Sequence, residues 1–142
     1  MPKIIIHAAE GIFDADARAA VAAELTDFAL DCEALPKSPF VRSTVWTYFN
    51  ACPADAVFMG AELAYARIIS AQMFVIAGGL DDEAKKRLIQ GATQVLGRHS
   101  GASGRAPVYI VLHEIPEIDW GIFGETADLA ALRASSPDAP AI

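Results

Sequence analysis

The sequence predicts an α+β protein: tandem β-α-β units forming one four-stranded mixed sheet with two helices on one face. Three observations carry this. The chain of 142 residues is 54% hydrophobic and 20% charged, the composition of one compact domain. Short β-branched runs alternate with helical patterns. The chain also repeats itself. Phe13-Asp14-Ala15-Asp16-Ala17 returns 67 residues later as Leu80-Asp81-Asp82-Glu83-Ala84, and Gly60 of VFMGAE and Gly124 of GIFGE lie 64 apart.

Residues 3–9, KIIIHAA, form a short buried strand that Glu10-Gly11 ends. Asp14 caps a helix whose Val21, Leu25, Phe28 and Cys32 share one face. Pro36 and Pro39 end that helix and open a loop. Residues 40–50, rich in Val, Thr, Trp, Tyr and Phe, read as a second strand, with CPADAVFMGAEL as a turn and short return strand. The pattern then restarts. Residues 67–77 are an apolar strand, Gly78-Gly79 a turn, and Asp81 the cap of a helix presenting Ala84, Leu88, Gly91, Ala92 and Val95. Residues 100–104 are a loop, 107–115 a strand, and EIDWGIFGE a turn with a short strand. The segment from Asp128 reads as the start of a helix, and the tail 133–142 is expected to be mobile. The single domain spans 2–132, with repeat units 2–66 and 67–132.

Two strands joined by one helix are parallel, with a right-handed crossover. Both helices then cover one face, and nothing in the chain remains for the other, so an oligomer with its sheets packed inward is expected. A ferredoxin-like dimer of βαββαβ order is the competing architecture.

Eleven Lys+Arg against 18 Asp+Glu give a net charge of −7, which argues against a nucleic-acid partner. No apolar run is long enough for a membrane span, and the N-terminus lacks a signal-peptide pattern, so a cytoplasmic location is expected. Cys32 and Cys52 have no metal spacing, and His7, His99 and His113 are scattered, so no metal is expected. The Gly78-Gly79 pair lacks the rest of a phosphate-binding fingerprint.

The pieces MPKIIIHAAEG, CPADAVFMGAEL, VYIVLHEIP and EIDWGIFG, in this order within a doubled β-α-β chain, resemble the tautomerase superfamily. The fused members are most alike in kind: cis-3-chloroacrylic acid dehalogenase, malonate semialdehyde decarboxylase and macrophage migration inhibitory factor. The resemblance covers about residues 2–132. It implies a homotrimer, no cofactor, and a catalytic Pro2 at one end of the sheet near a subunit boundary.

The chemistry of Pro2 agrees. A small second residue permits removal of Met1, leaving a secondary amine on a rigid ring. Apolar surroundings lower an α-amino pKa from its usual value of about 7.7–8.0. A neutral amine is a suitable base for a proton beside a carbonyl. The expected activity is keto–enol tautomerisation or isomerisation of a small 2-keto or enol carboxylate. Non-catalytic binding, or hydratase-like dehalogenase or decarboxylase chemistry on an unsaturated or 3-oxo acid, are the alternatives.

The family arginines are missing: Ile12 follows Glu10-Gly11, and Gly78-Gly79-Leu80-Asp81 carries no cation. Lys37 and Arg42 are therefore the candidates to hold the carboxylate, Arg42 in bidentate fashion, with Lys3 and Arg67 as further cations. Tyr109 resembles a pocket tyrosine of the family and would polarise a carbonyl. Trp120 resembles its pocket wall, Asp119 would orient water or shuttle a proton, and Trp46 shares a strand face with Tyr48.

Overall fold

The computed structural model describes residues 1–64 and 67–142. The first unit runs β1 (Lys3–Ala9), α1 (Ala15–Cys32), α2 (Pro39–Ser43) and β2 (Trp46–Cys52), then a 3-10 turn and the hairpin β3 (Phe58–Met59) and β4 (Glu62–Leu63). The second runs β5 (Ile69–Ile76), α3 (Asp82–His99) and β6 (Val108–Ile115). A 3-10 turn (Glu117–Asp119), the hairpin β7 (Gly121–Ile122) and β8 (Glu125–Thr126), and α4 (Leu129–Arg133) follow. The expected end of the first unit, residue 66, lies outside the described residues.

The sheet order is β2-β1-β5-β6. β1 and β2 are parallel, with Lys3 opposite Trp46, and β5 and β6 are parallel, with Phe74 opposite His113. β1 and β5 are antiparallel, with Lys3 opposite Phe74. The sheet is thus mixed and four-stranded, as the doubled unit requires.

Helix starts follow their caps. The side chains of Asp14, Asp81 and Asp128 each accept a hydrogen bond at 2.8 Å, from the backbone N–H of Ala17, Ala84 and Ala131. One boundary differs from expectation. The strand read over 40–50 begins only at Trp46, and residues 39–43 form α2. Ser38 Oγ accepts from Val41 N–H at 3.2 Å and Pro39 occupies the first helical turn, where its missing N–H costs nothing. Cap chemistry here prevails over the β propensity of the run that follows.

The main core lies between the sheet and the paired helices. Ile4, Ile6, Ala71, Met73 and Val75 point from the strands toward Val21, Leu25, Ala29, Leu88, Ala92 and Leu96. On α1, Ala29 and Leu30 are buried with the expected Val21, Leu25 and Cys32, whereas Phe28 is half-buried. A second core closes one end of the sheet, where Met1 packs with Leu30, Leu35, Val41, Ile76, Leu129 and Leu132. The tail folds against α2 here: Phe40 N–H donates to Ala139 O at 3.0 Å, and Ile142 N–H to Ser43 Oγ at 3.1 Å.

Among the described residues nothing covers the other sheet face. Trp46 and Tyr48 on β2 and Tyr109 and Val111 on β6 are exposed on it. Among the described residues no helix is long and apolar enough to cross a membrane, and no group of His, Cys, Asp and Glu could hold a metal ion.

Candidate active site at the N-terminal end of the sheet

The start of the chain is buried. Met1 and Pro2 are both buried, and the Met1 amine donates to Glu33 Oε2 at 2.6 Å. Glu33 is fully buried, and its Oε1 has no hydrogen-bond partner among the described residues.

Local backbone geometry fixes Glu33. It is the C-cap of α1, and Ala34 follows in the left-handed region at φ +53°. Leu35 N–H donates to Leu30 O at 2.9 Å and Ala34 N–H to Asp31 O at 3.3 Å, the paired bonds of a Schellman motif. Leu30 and Leu35 also pack together in the second core, turning the chain end inward. Arg133 of α4 closes the other side, donating to Glu33 O at 3.1 Å and Gly79 O at 3.4 Å. A side chain at Gly79 would start 3.0 Å from Ile76 O and 3.4 Å from Glu33 Oε1, so the turn after β5 has no room for one without adjustment.

The electrostatics of the amine are mixed. Burial pushes its pKa below the ordinary α-amino value. The charge and hydrogen bond of Glu33 act the other way, and Arg133 adds to the lowering. Burial prevails.

Two cavities adjoin this end. One of about 450 Å³ is lined by Lys3, Trp46, Phe74, Asp119 and Trp120 among others. The second, of about 410 Å³, is lined by Met1, Phe40, Ala131 and Leu132, and the two share Thr44, Ile122 and Phe123. Lys3 Nζ lies 5.7 Å from the centre of the Tyr48 ring.

Of the residues singled out in the sequence, Trp46, Asp119 and Trp120 thus gather in one cavity with Lys3, the chain neighbour of Pro2. Lys37 and Arg42 lie elsewhere. Lys37 Nζ pairs with Asp31 at 2.8 Å, while Arg42 pairs with Asp27 and donates to Lys37 O at 3.1 Å. Neither lines a cavity described here. Tyr109 is 70% exposed and lines a third cavity of about 590 Å³ with His7 and Arg105. It stands four positions before His113, the partner of Phe74, and so about 13 Å along the strand from that row.

Sequence reasoning missed Glu33 and passed over Lys3 as a binding residue. A carboxylate at a helix C-terminus opposes the helix dipole, and that was the available signal for Glu33. Lys3 neighbours Pro2 and points, by strand alternation, to the same face as Ile5, which was the signal there.

The doubled β-α-β sheet is a fold shared with known proteins. Residues 72–129 match the family model described as tautomerase enzyme. The solved structures agree in fold. F6 fused 4-OT, an asymmetric trimer, is 22% identical with a TM-score of 0.75, covering 87% of this chain and 94% of that one. N1, a member of the cis-3-chloroacrylic acid dehalogenase family, is 23% identical with a TM-score of 0.77, covering 89% and 83%. Macrophage migration inhibitory factor of Toxoplasma gondii is 13% identical with a TM-score of 0.71, covering 88% and 99%. No curated protein matches the chain. The family model and these neighbours all fall in the tautomerase superfamily, and the resemblance carried by the sequence motifs is borne out.

Proposed function

We propose that this protein is a cofactor-independent keto–enol tautomerase or isomerase of small 2-keto or enol carboxylates, with Pro2 as its acid/base after removal of Met1. The observation that carries this reading is the buried Met1 amine, held below the ordinary α-amino value by burial, beside an apolar cavity that Met1 lines. Removal of Met1 makes the Pro2 nitrogen the terminal amine at the same end of the sheet. Apolar burial favours its neutral form, which can accept a proton from carbon beside a carbonyl and return it elsewhere.

The cavity of about 450 Å³ supplies the other roles. Lys3 is the cation lining it and pairs with the substrate carboxylate. Trp46 and Trp120 hold the carbon skeleton, and Asp119 orients water or carries a proton. Lys37 and Arg42 already have carboxylate partners, which favours Lys3 for this task. Tyr109 is too far along β6 to serve its own chain's site and acts in a neighbouring subunit's. The exposed Trp46, Tyr48, Tyr109 and Val111 support burial of this face in a homotrimer, the assembly of the fused 4-OT neighbours.

The test joins intact mass with ketonisation of phenylenolpyruvate or 2-hydroxymuconate by untagged protein. The expected mass lacks Met1. One residue added before Pro2 turns its nitrogen into an amide, and turnover is expected to fall about 100-fold or more, the scale of a lost general base. Unchanged turnover with the added residue overturns the mechanism.

One observation favours a second reading. Met1 fills its place in the core and its amine is ion-paired. A chain that keeps Met1 has an amide at Pro2 and would be a binding protein. Retained mass together with no turnover decides for it.

A further inference from the structure

Glu33 is a buried charged group that the proposed chemistry does not use. Its side chain is sealed, its backbone is locked by the Schellman motif, and its Oε1 lacks a partner among the described residues. The one cation it holds belongs to Met1, the residue that maturation would remove. A buried carboxylate stripped of its counter-charge is costly and must find another donor. The next backbone nitrogen along the chain is that of Pro2, at most about 3.6 Å from the Met1 nitrogen by covalent geometry.

We propose that excision of Met1 hands Glu33 from the Met1 amine to the Pro2 amine, making Glu33 the positioning residue of that amine and deepening the apolar cavity that Met1 lines. The proposal rests on the reading of Pro2 as a free terminal amine. Glu33 either turns its side chain toward the new amine or reaches it through one water in the space left by the Met1 amine. Its carboxylate accepts the hydrogen bond from the secondary ammonium and points the nitrogen lone pair, once the proton leaves, along a fixed direction. Glu33 touches no substrate in this arrangement.

The charged groups around the amine are few. Glu33 comes from the end of α1 and Arg133 from α4. Lys3 and Asp119 line the neighbouring cavity, Asp128 lines the cavity of Met1, and Glu117 Oε1 is taken up by Leu129 N–H at 2.7 Å. Of these, Glu33 alone is hydrogen-bonded to the amine among the described residues.

The experiment is a pH titration of processed protein carrying 15N-proline and 13C-labelled glutamate, read by NMR at the Pro2 nitrogen and at the Glu33 carboxyl carbon. In wild-type protein both nuclei are expected to report each other's titration. Glu33→Gln keeps the shape and removes the charge, and it is expected to move the Pro2 midpoint down by about one pH unit, the scale of a lost neighbouring charge. Glu33→Asp restores part of that shift. A Pro2 midpoint that does not move in Glu33→Gln overturns the proposal. Should that variant fail to fold, independent titration of the two nuclei in wild-type protein overturns it equally. A mass that retains Met1 overturns it outright. Turnover is read separately: a moved midpoint in a protein without isomerase activity keeps the pair and removes the isomerase reading.

Discussion

Ala34 holds the left-handed position that turns the chain after α1 and so sets where Glu33 points. An L-residue in that region costs about 1–2 kcal/mol, and glycine avoids the cost while losing about 0.5–1 kcal/mol of backbone entropy. Ala34→Gly is therefore expected to stabilise the fold by about 0.5–1 kcal/mol, raising Tm by about 2–3 °C for a chain of this size. Thermal unfolding checks this, and a lower Tm would show that the Ala34 methyl group matters to packing. The same turn shows where reading by residue stops. Glu33 follows an apolar stripe and looks in sequence like any solvated charge at a helix end. Its burial depends on α4 and Met1 arriving from opposite ends of the chain. Lys37, just before α2, and Arg42, on it, pair back to Asp31 and Asp27 of α1, and no local pattern records that.

Elements were far more legible than partners. Three aspartate caps announced α1, α3 and α4, and the restart at Leu80-Asp81 announced the doubled sheet, because caps and periodicity are local properties. α2 escaped because Ser38-Pro39 opens into a run of β-branched and aromatic residues, where two local rules disagree. Gly91, read as part of an apolar helix face, turns out to mark close approach between α1 and α3. A Cβ placed there would lie 2.1 Å from the Phe28 ring. Gly91→Ala gains about 1 kcal/mol of helix propensity but forces overpacking worth about 1–3 kcal/mol, so a net loss of about 1 kcal/mol is expected. Denaturant unfolding measures it. In a Phe28→Ala background the clash is gone and the same substitution should become stabilising, so an unchanged effect there would rule out the ring as the cause.

At the scale of the molecule, the question is what covers the second face of the sheet. Each strand turns one set of alternate side chains toward the helices and the other set away. Trp46 and Tyr48 at one edge and Tyr109 and Val111 at the other leave apolar surface in water that burial would remove at about 25 cal/mol per Å². The edges of β2 and β6 add unpaired backbone groups, a further incentive to associate. The sequence foretold this need by running out of elements, although the copy number came only with the family resemblance. Val111 is the residue with which to test it. It stands on β6 away from the helices and from the cavity of Lys3, Trp46 and Trp120, so its replacement leaves both cores and that cavity intact. Val111→Asp on every chain would bury one uncompensated carboxylate per subunit if the faces meet, a cost of several kcal/mol each. The expected result in analytical ultracentrifugation is a shift from the proposed trimer toward the 15.1 kDa of one chain. On the proposed reading, in which Tyr109 completes another subunit's site, turnover should fall with it. A variant that sediments as wild type does would mean that this face stays open to solvent, and that Tyr109 has no site to complete.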